Sequence, residues 1–359
     1  MNVKGSISGV DLFCGAGGLT YGLQQAGIDV RLGIDIDIAS RHPIETNTRA
    51  KFIQADVSTL DPNVIRNAFG NSEIRLLAGC APCQPFSTYS RASNRPLQSR
   101  HRLGRIENWR LVEKFADLVE AINPELVTME NVPPLAQQEV FEKLLGKLKS
   151  YWIDWQIVEC QKIGLPQTRK RLVLLASRLG PIKFKKEEVK PKTVRDVIGG
   201  LSKISAGEVD RKDPLHRSSR LSELNLLRIR ASHPGGSWRD WPQELLSPCH
   251  KRPSGSTFPS VYGRMEWDTA APTITTQSFG FGNGRFGHPE QDRAISLREA
   301  AMLQGFPEDY SFLPHSEPIS FARIGRLIGN AVPVDLATWI GKTLVEHVNA
   351  SLPDRSPAL

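Results

Sequence analysis

The feature that most restricts this chain lies near its start, where an apolar strand runs unbroken into a glycine-rich turn and then a helix. Residues 9–13 (GVDLF) read as a strand, Cys14-Gly15-Ala16-Gly17-Gly18 as the turn, and Leu19 to Ala26 as a short helix stopped by Gly27. A parallel neighbour for the first strand is reached only by a crossover, usually helical, so this unit favours βαβ architecture. The rhythm continues. Strands are expected over 29–36, 52–56, 74–79 and 125–130, and then over 155–159 and 171–176. Leu111, Val112, Phe115, Leu118, Val119 and Ile122 recur at helical spacing between Trp109 and Ile122, and Val140 to Leu148 also reads as helical. The pattern predicts an α/β fold with a doubly wound, mostly parallel sheet.

The texture changes near Pro181. KFKKEEVKPK (183–192) is charged and carries a proline, and the next hundred residues trade alternation for Gly, Pro, Ser, Arg and Trp. Helical pattern returns from Ser296 and again from Ile324 through Val345. The expected organisation is a first domain over 1–185, a smaller loop-rich domain over 186–310, and a return to the first domain over 311–359.

Charge narrows the partners. The 46 Lys and Arg outnumber 38 Asp and Glu, for a net charge of +8, which favours a polyanion, nucleic acid before membrane. The N-terminal stretch lacks the apolar core of a signal peptide, and nowhere do about 18 apolar residues run without a charge. A cytoplasmic, nucleoid-associated protein is expected. The five cysteines, odd in number and scattered, read as reduced thiols.

The glycines serve either a tight turn alone or a cofactor cradle. Asp35, twenty residues beyond Gly15 at the end of the second strand, is placed to accept from ribose hydroxyls, and Asp56, ending the third, from an adenine amino group. Both favour the cradle. Thr20, however, stands where the third glycine of a dinucleotide fingerprint would be. Residues 79–87 (GCAPCQPFS) open a second question. Cys80 and Cys83 suit a redox pair, half a zinc site or a single nucleophile. Zinc lacks further ligands at close spacing, so no metal is expected, and a nucleophilic Cys83 held by Pro82 at the sheet's carboxyl edge is favoured. A free thiol has a pKa of about 8.5, so neighbouring charge or backbone donors must lower it. Glu130 and Asn131 end another strand and are either solvated caps or part of the same site. Arg169 and Arg171, placed on one face by alternation, are either a solvated surface or point at an anion or polarised carbonyl.

Taken in order, Asp11-Leu-Phe-Cys-Gly-Ala-Gly-Gly18, Pro82-Cys83-Gln84, Glu130-Asn131-Val132 and Gln167-x-Arg169-x-Arg171 resemble the motifs of the DNA cytosine methyltransferases that act on carbon 5. The stretches 298–307 (REAAMLQGFP) and 329–333 (GNAVP) resemble the family's ninth and tenth motifs. The resemblance spans nearly the whole chain except about residues 190 to 290. It implies a Rossmann-like methyltransferase domain using S-adenosyl-L-methionine, and a target-recognition domain that acts on double-stranded DNA in DNA methylation. It further implies a restriction-modification setting with a possible cognate endonuclease, and a monomer.

By position, the resemblance implies that Phe13, Gly15, Gly17, Gly18 and Leu19 line the cofactor, with Asp35 on the ribose and Ile36, Asp56 and Val57 at the adenine. Pro82 would meet the methionine end, and Asn330 and Val332 would close the pocket. Cys83 is the nucleophile, Glu130 the acid at ring nitrogen 3, Asn131 a support, and Arg171 aids the flipped base, with Arg169 counted in the same catalytic set. Gln84, Ser87, Arg91, Arg95, Arg100 and Thr275 would touch DNA, the arginines on a loop over 88–106 that closes over the base. One departure is visible: Ile106-Glu-Asn-Trp109 replaces an Asp-x-Arg that the family often carries there. Trp238, Arg239, Trp241, Lys251 and Arg252 suit a DNA-facing surface. Three alternatives are weighed. A nicotinamide dehydrogenase leaves Cys83, Glu130 and the arginines without roles, and the family's transfer-RNA relatives carry a Cys-Phe-Thr signature that is absent here. A DNA-binding relative that has lost catalysis would not be expected to retain Cys83, Glu130 and Arg171.

Overall fold

The structure, a computed structural model, describes residues 6–82, 99–185, 189–252, 255 and 258–352, with 99–109 described in the backbone alone. In chain order the principal elements begin with β1 (Ile7–Leu12), α1 (Gly18–Gln25), β2 (Asp29–Asp35), α2 (Arg41–Asn47), β3 (Lys51–Gln54), α3 (Pro62–Phe69) and β4 (Ile74–Gly79). There follow α4 (Ser99–Ile122), β5 (Leu126–Asn131), α5 (Glu139–Lys147), β6 (Trp152–Glu159) and β7 (Lys170–Ser177). The remaining helices are α6 (Val194–Ile198), α7 (Glu223–Arg230), α8 (Leu297–Leu303), α9 (Phe321–Asn330) and α10 (Val334–Ser351).

The chain divides into two compact units, one of residues 1–159, 170–188 and 332–359, the other of 160–169 and 189–331. This division differs from the one drawn on the sequence. A short excursion, 160–169, belongs to the second unit, and so do residues 311–331, which include α9.

The first unit holds a seven-stranded sheet in the order β3-β2-β1-β4-β5-β7-β6. Strands β1 to β5 are parallel, and β7 runs antiparallel to both neighbours. The order reverses between β1 and β4, so the carboxyl ends of these strands flank the crevice where doubly wound sheets bind ligands. Because β7 is reversed, its first residues reach that same edge. The central strands are buried throughout, as strands covered on both faces must be. Phe115, Val119 and Ile122 of α4 and Phe141 and Leu144 of α5 enter the same core. Gly79 makes room for this packing, since a Cβ there would lie 2.9 Å from the Phe115 ring.

Helices α2 and α3 were not expected from the sequence; Asp61 caps α3 by accepting from the Asn63 N–H, with Pro62 at its first position, and Val64, Ile65, Ala68 and Phe69 recur on one face. The C-terminal helical pattern is two helices, because Pro333 cannot continue α9 and instead precedes α10. Within the first unit α10 packs closely on α1, where Cβ atoms at Gly22 and Gly341 would lie only 2.4 Å from the Ala337 Cβ and 2.5 Å from the Ala26 Cβ. Among the described residues no helix is long and apolar enough to cross a membrane.

The second unit is loop-rich, and two of its tryptophans correct the expectation of a DNA-facing surface. Trp238 and Trp241 are buried with Ile229 and Phe281 in a core of their own. The His250 ring stacks on Trp238 at 4.3 Å, and Tyr262 meets Trp241 edge-on at 5.2 Å. Both indole N–H groups are satisfied inside, by the Phe258 carbonyl at 2.9 Å and the Ser232 hydroxyl at 2.7 Å. In a region so poor in aliphatic residues, these large rings are what builds a core. Lys251 and Arg252 are exposed.

Candidate active site

The carboxyl ends of β1 to β5 and the start of β7 carry residues singled out above. After β1 the backbone turns abruptly, with Phe13 at φ 60°, Gly15 at φ 50° and Gly17 at φ 84°. The two glycines take the left-handed region at little cost, whereas Phe13 holds it as a strained non-glycine residue, of the kind that concentrates at ligand sites. A Cβ on Gly15 would meet nothing within 4 Å. The turn therefore lies open, and glycine is required there by its backbone angle. Asp35, at the end of β2, bridges this turn to the next one: its Oδ2 accepts from the Gly15 N–H at 2.9 Å and its Oδ1 from the Asp37 N–H at 2.8 Å. Ile36 follows with 65% of its surface exposed, a large apolar side chain left uncovered beside the turn's carboxylate. Asp56 is exposed and caps the short helical turn at 57–59 by accepting from the Ser58 N–H at 2.8 Å, while Val57 is buried.

Beneath the turn, Asp11 is fully buried, and its Oδ2 accepts from the Thr20 hydroxyl at 2.7 Å. Its Oδ1 has no hydrogen-bond partner. Burial drives the Asp11 carboxyl up to about 7, with the Thr20 bond opposing and Asp35 adding to the rise. Thr20, which breaks the dinucleotide fingerprint, is thus a tie between helix α1 and strand β1. Burial likewise pushes the Cys14 thiol well above its usual value, which suits a packing role.

The crevice continues at β4, β5 and β7. Gly79 pairs with Met129 in the parallel register, so Cys80, just past the end of β4, lies beside Glu130, the next residue of β5. The Cys80 Sγ donates to Glu130 Oε2 at 2.7 Å. On the other side, Glu130 pairs across the antiparallel ladder with Val173, so Arg171 is its diagonal neighbour, within reach of a long side chain. The Arg171 Nε lies 2.8 Å from Glu130 Oε1, with the two side chains only 13% and 4% exposed. The approach is off the N–H axis, so Oε1 has its charge compensated while making no aligned hydrogen bond. Asn131 Nδ2 donates to the Ala81 carbonyl at 3.0 Å and ties the end of β5 to the loop after β4. Pro82 is half-buried at the end of that loop's described part.

Cys83, Gln84, Ser87, Arg91 and Arg95 lie outside the described residues, as does the Arg100 side chain. The backbone of α4 begins at Ser99, so 99–106, expected as loop, is helical. Arg169 and Arg171 do not share a strand face, because β7 begins at Lys170. Arg169 is buried in the second unit, where its guanidinium donates to the Ile274 carbonyl at 3.0 Å. Gln167, also buried, binds the Leu303 carbonyl, the Gln304 side chain and the Ile274 N–H. These two residues fasten the 160–169 excursion to its own unit. Thr275 is half-buried there, pressed against Gly329, whose Cβ would lie 2.3 Å from the Thr275 carbonyl carbon. Asn330 is exposed at the end of α9, and Val332 is buried. The partnership of Cys80 with Glu130 was not foreseen; Cys80 immediately follows β4 and Glu130 is the last residue but one of the neighbouring parallel β5, and this closeness of two strand ends is the signal that could have revealed it.

A family model for the C-5 cytosine-specific DNA methylases matches residues 7–346. The chain belongs to this family. The enzyme is 46% identical over 343 residues to the Type II methylase M.HgiDII of Herpetosiphon aurantiacus, covering 93% of this chain and 94% of that one. It is 30% identical to the Type II methyltransferase M.PspPI of a Psychrobacter species, covering 97% and 81%. Among solved structures, a DNA modification methyltransferase encoded within an E. coli prophage superposes with a TM-score of 0.70 at 25% identity, covering 95% of this chain and 99% of that one. The chain is accordingly a DNA (cytosine-5) methyltransferase, with the methyltransferase form of the doubly wound fold. The dehydrogenase alternative falls away.

Proposed function

We propose that the enzyme transfers a methyl group from S-adenosyl-L-methionine to carbon 5 of a cytosine within a specific double-stranded DNA sequence, with the base flipped out of the helix and held covalently by Cys83. The observation that carries this reading is Glu130. It is a buried carboxylate fixed between Cys80 and Arg171, with one oxygen free of any aligned donor, on the strand end next to the loop that leads to Cys83. An anchored carboxyl group of this kind suits the ring-nitrogen edge of a cytosine better than it suits solvent.

The first unit's residues fit the cofactor. The open turn at Gly15, the Asp35 bridge, the uncovered Ile36 and the unpartnered Asp11 Oδ1 form a cradle with polar and apolar faces for an adenosyl group. When bound, S-adenosylmethionine supplies an electrophilic methyl group on a sulfonium sulfur. Carbon 5 of cytosine is a poor nucleophile, and the chain's own residues change that. The Cys83 thiolate forms a bond to carbon 6, the displaced electron pair moves toward ring nitrogen 3, and Glu130, which enters this step as the carboxylic acid with a proton taken from water, places that proton there. Carbon 5 then has enamine character. After methylation the carbon 5 proton passes to solvent water, its bonding pair forms the carbon 5–carbon 6 double bond as the Cys83 thiolate is expelled, and nitrogen 3 returns its proton to Glu130. Arg171 positions Glu130 throughout, and Asn131 holds the loop that carries the thiol. Flipping the base costs about a few kcal/mol, which contacts from the second unit and from Gln84, Ser87 and the 88–106 arginines would offset. A cognate endonuclease would share the recognition sequence without touching this enzyme.

The test is a duplex carrying 5-fluorocytosine at the target, incubated with S-adenosylmethionine. Fluorine cannot leave carbon 5 as a proton does, so the adduct should survive a denaturing gel. Cys83→Ala should abolish it and Cys80→Ala should retain it. An adduct that persists in Cys83→Ala, or methyl found on adenine, overturns the reading.

A further inference from the structure

The second unit contains a cavity of about 410 Å³ between the 213–217 segment and the 310–319 segment. Its construction is specific. Arg298 joins the two walls, pairing with both carboxylate oxygens of Asp213 at 2.6 and 3.2 Å while donating to the Tyr310 carbonyl at 2.9 Å. Behind the second wall, Phe306, Tyr310 and Phe312 pack as an aromatic trio with centroids 4.5 to 5.1 Å apart, all almost fully buried. The cavity is therefore framed by fixed elements. Its lining combines Leu313, Pro314, Pro318 and Ile319 with a single uncompensated cation, Arg217.

The charge balance singles Arg217 out. Asp213 is neutralised by Arg298, and Glu317, at the other end of the lining, is paired with Arg323. Among the described residues Arg217 makes no side-chain hydrogen bond or ion pair, and its Nε is covered without an acceptor. The covered Nε is out of reach of a ligand, but the two terminal guanidinium nitrogens also make no hydrogen bond and are not enclosed, so they are the donors that an anion in the cavity would satisfy. The planar fork of donors fits a phosphate or carboxylate. The volume falls within the roughly 300–1,000 Å³ of small-molecule sites and exceeds what a bare phosphate would fill, so the ligand brings a flat, largely apolar body against the prolines and aliphatic side chains.

We propose that this cavity binds a nucleotide, with its phosphate on the Arg217 guanidinium and its base or sugar against Pro314 and Ile319. An enzyme that acts on DNA meets such a group in two forms, a nucleotide of the bound strand and a free nucleotide. The assignment is independent of the covalent chemistry proposed above and stands or falls separately from it.

Arg217→Gln and Arg217→Lys are compared with the parent, each checked for an unchanged melting midpoint. Calorimetry with thymidine 5′-monophosphate, and with thymidine as the uncharged control, tests the free source. Fluorescence titration of a long duplex across salt tests the strand source. If the free nucleotide is the ligand, the monophosphate binds the parent and thymidine does not, and Arg217→Gln weakens binding roughly ten- to hundred-fold, the loss of a charge-assisted hydrogen bond. If the strand is the ligand, Arg217→Gln lowers the log–log salt slope by about 0.9, the share of one phosphate, and Arg217→Lys restores most of it. A parent that does not bind the monophosphate, together with a duplex slope unmoved in Arg217→Gln, overturns the assignment, as does monophosphate binding that Arg217→Gln leaves intact.

Discussion

Arg171 and Glu130, forty-one positions apart in the chain, meet as a buried ion pair because β7 runs antiparallel to β5 and delivers its first residues to the edge where β5 ends. The guanidinium compensates a carboxylate that is otherwise enclosed, and the off-axis approach leaves Glu130 an oxygen for a substrate. Removing Arg171 strands that charge. Arg171→Ala should lower unfolding stability by about 3 kcal/mol, the cost of breaking one side of a buried pair. Adding Glu130→Gln to it should recover part of the loss, read from denaturant midpoints of the three variants.

Glu130→Gln by itself keeps the shape of the side chain and removes the proton relay. Single-turnover methyl transfer should slow by roughly 10² to 10⁴-fold, the range of general acid catalysis, with duplex affinity close to the parent's. Equal loss of affinity and rate would point to a binding role instead.

Asp35 spends an oxygen on each of two backbone N–H groups, at Gly15 and Asp37. Asparagine has one such oxygen and presents an amide to the other donor. Asp35→Asn should therefore weaken S-adenosylmethionine binding by about 1–3 kcal/mol, measured by calorimetry, through the shape of the glycine turn as well as the direct contact.

The Asp11 carboxyl, raised by burial to about 7, makes stability depend on pH with a known sign. Between its unfolded value of about 3.9 and 7, the folded protein holds the proton that the unfolded chain has released. Its contribution to stability is whole below about pH 4 and is lost as pH rises through 7. Asp11→Asn should flatten this part of the stability profile, so the difference between parent and variant, from denaturant midpoints across that window, should grow with pH.

Two glycines should respond oppositely to alanine. At Gly329 a Cβ would lie 2.3 Å from the Thr275 backbone, and Gly329→Ala should destabilise by about 1–3 kcal/mol through overpacking. At Gly146, within helix α5 and exposed, a Cβ meets nothing within 4 Å, so Gly146→Ala should stabilise by about 0.5–1 kcal/mol. Thermal melting of both variants checks the pair.

By itself the sequence determined the alternation of strands and helices, the glycine turn after β1, and the placing of Asp35, Cys80 and Glu130 at strand ends. These are local matters: apolar period, glycine's tolerance of left-handed angles, and proline's refusal to continue a regular element. Helices α2 and α3 escaped because they span only seven and eight residues, too few for periodicity to stand out along the chain, although α3 places Ile65 and Phe69 on one buried face. What the tertiary structure alone decided is which strand end lies beside which. The parallel register of β4 and β5 set Cys80 against Glu130, and the reversed β7 supplied Arg171 while Arg169, two residues earlier, stayed outside the strand and bound the Ile274 carbonyl. Trp238 and Trp241 followed the same rule, looking like surface in a polar stretch and becoming core once their rings and N–H groups found partners far along the chain. Side-chain partnership across strands depends on order and register in the sheet. Those are settled by the summed burial of the whole unit, which no single segment encodes.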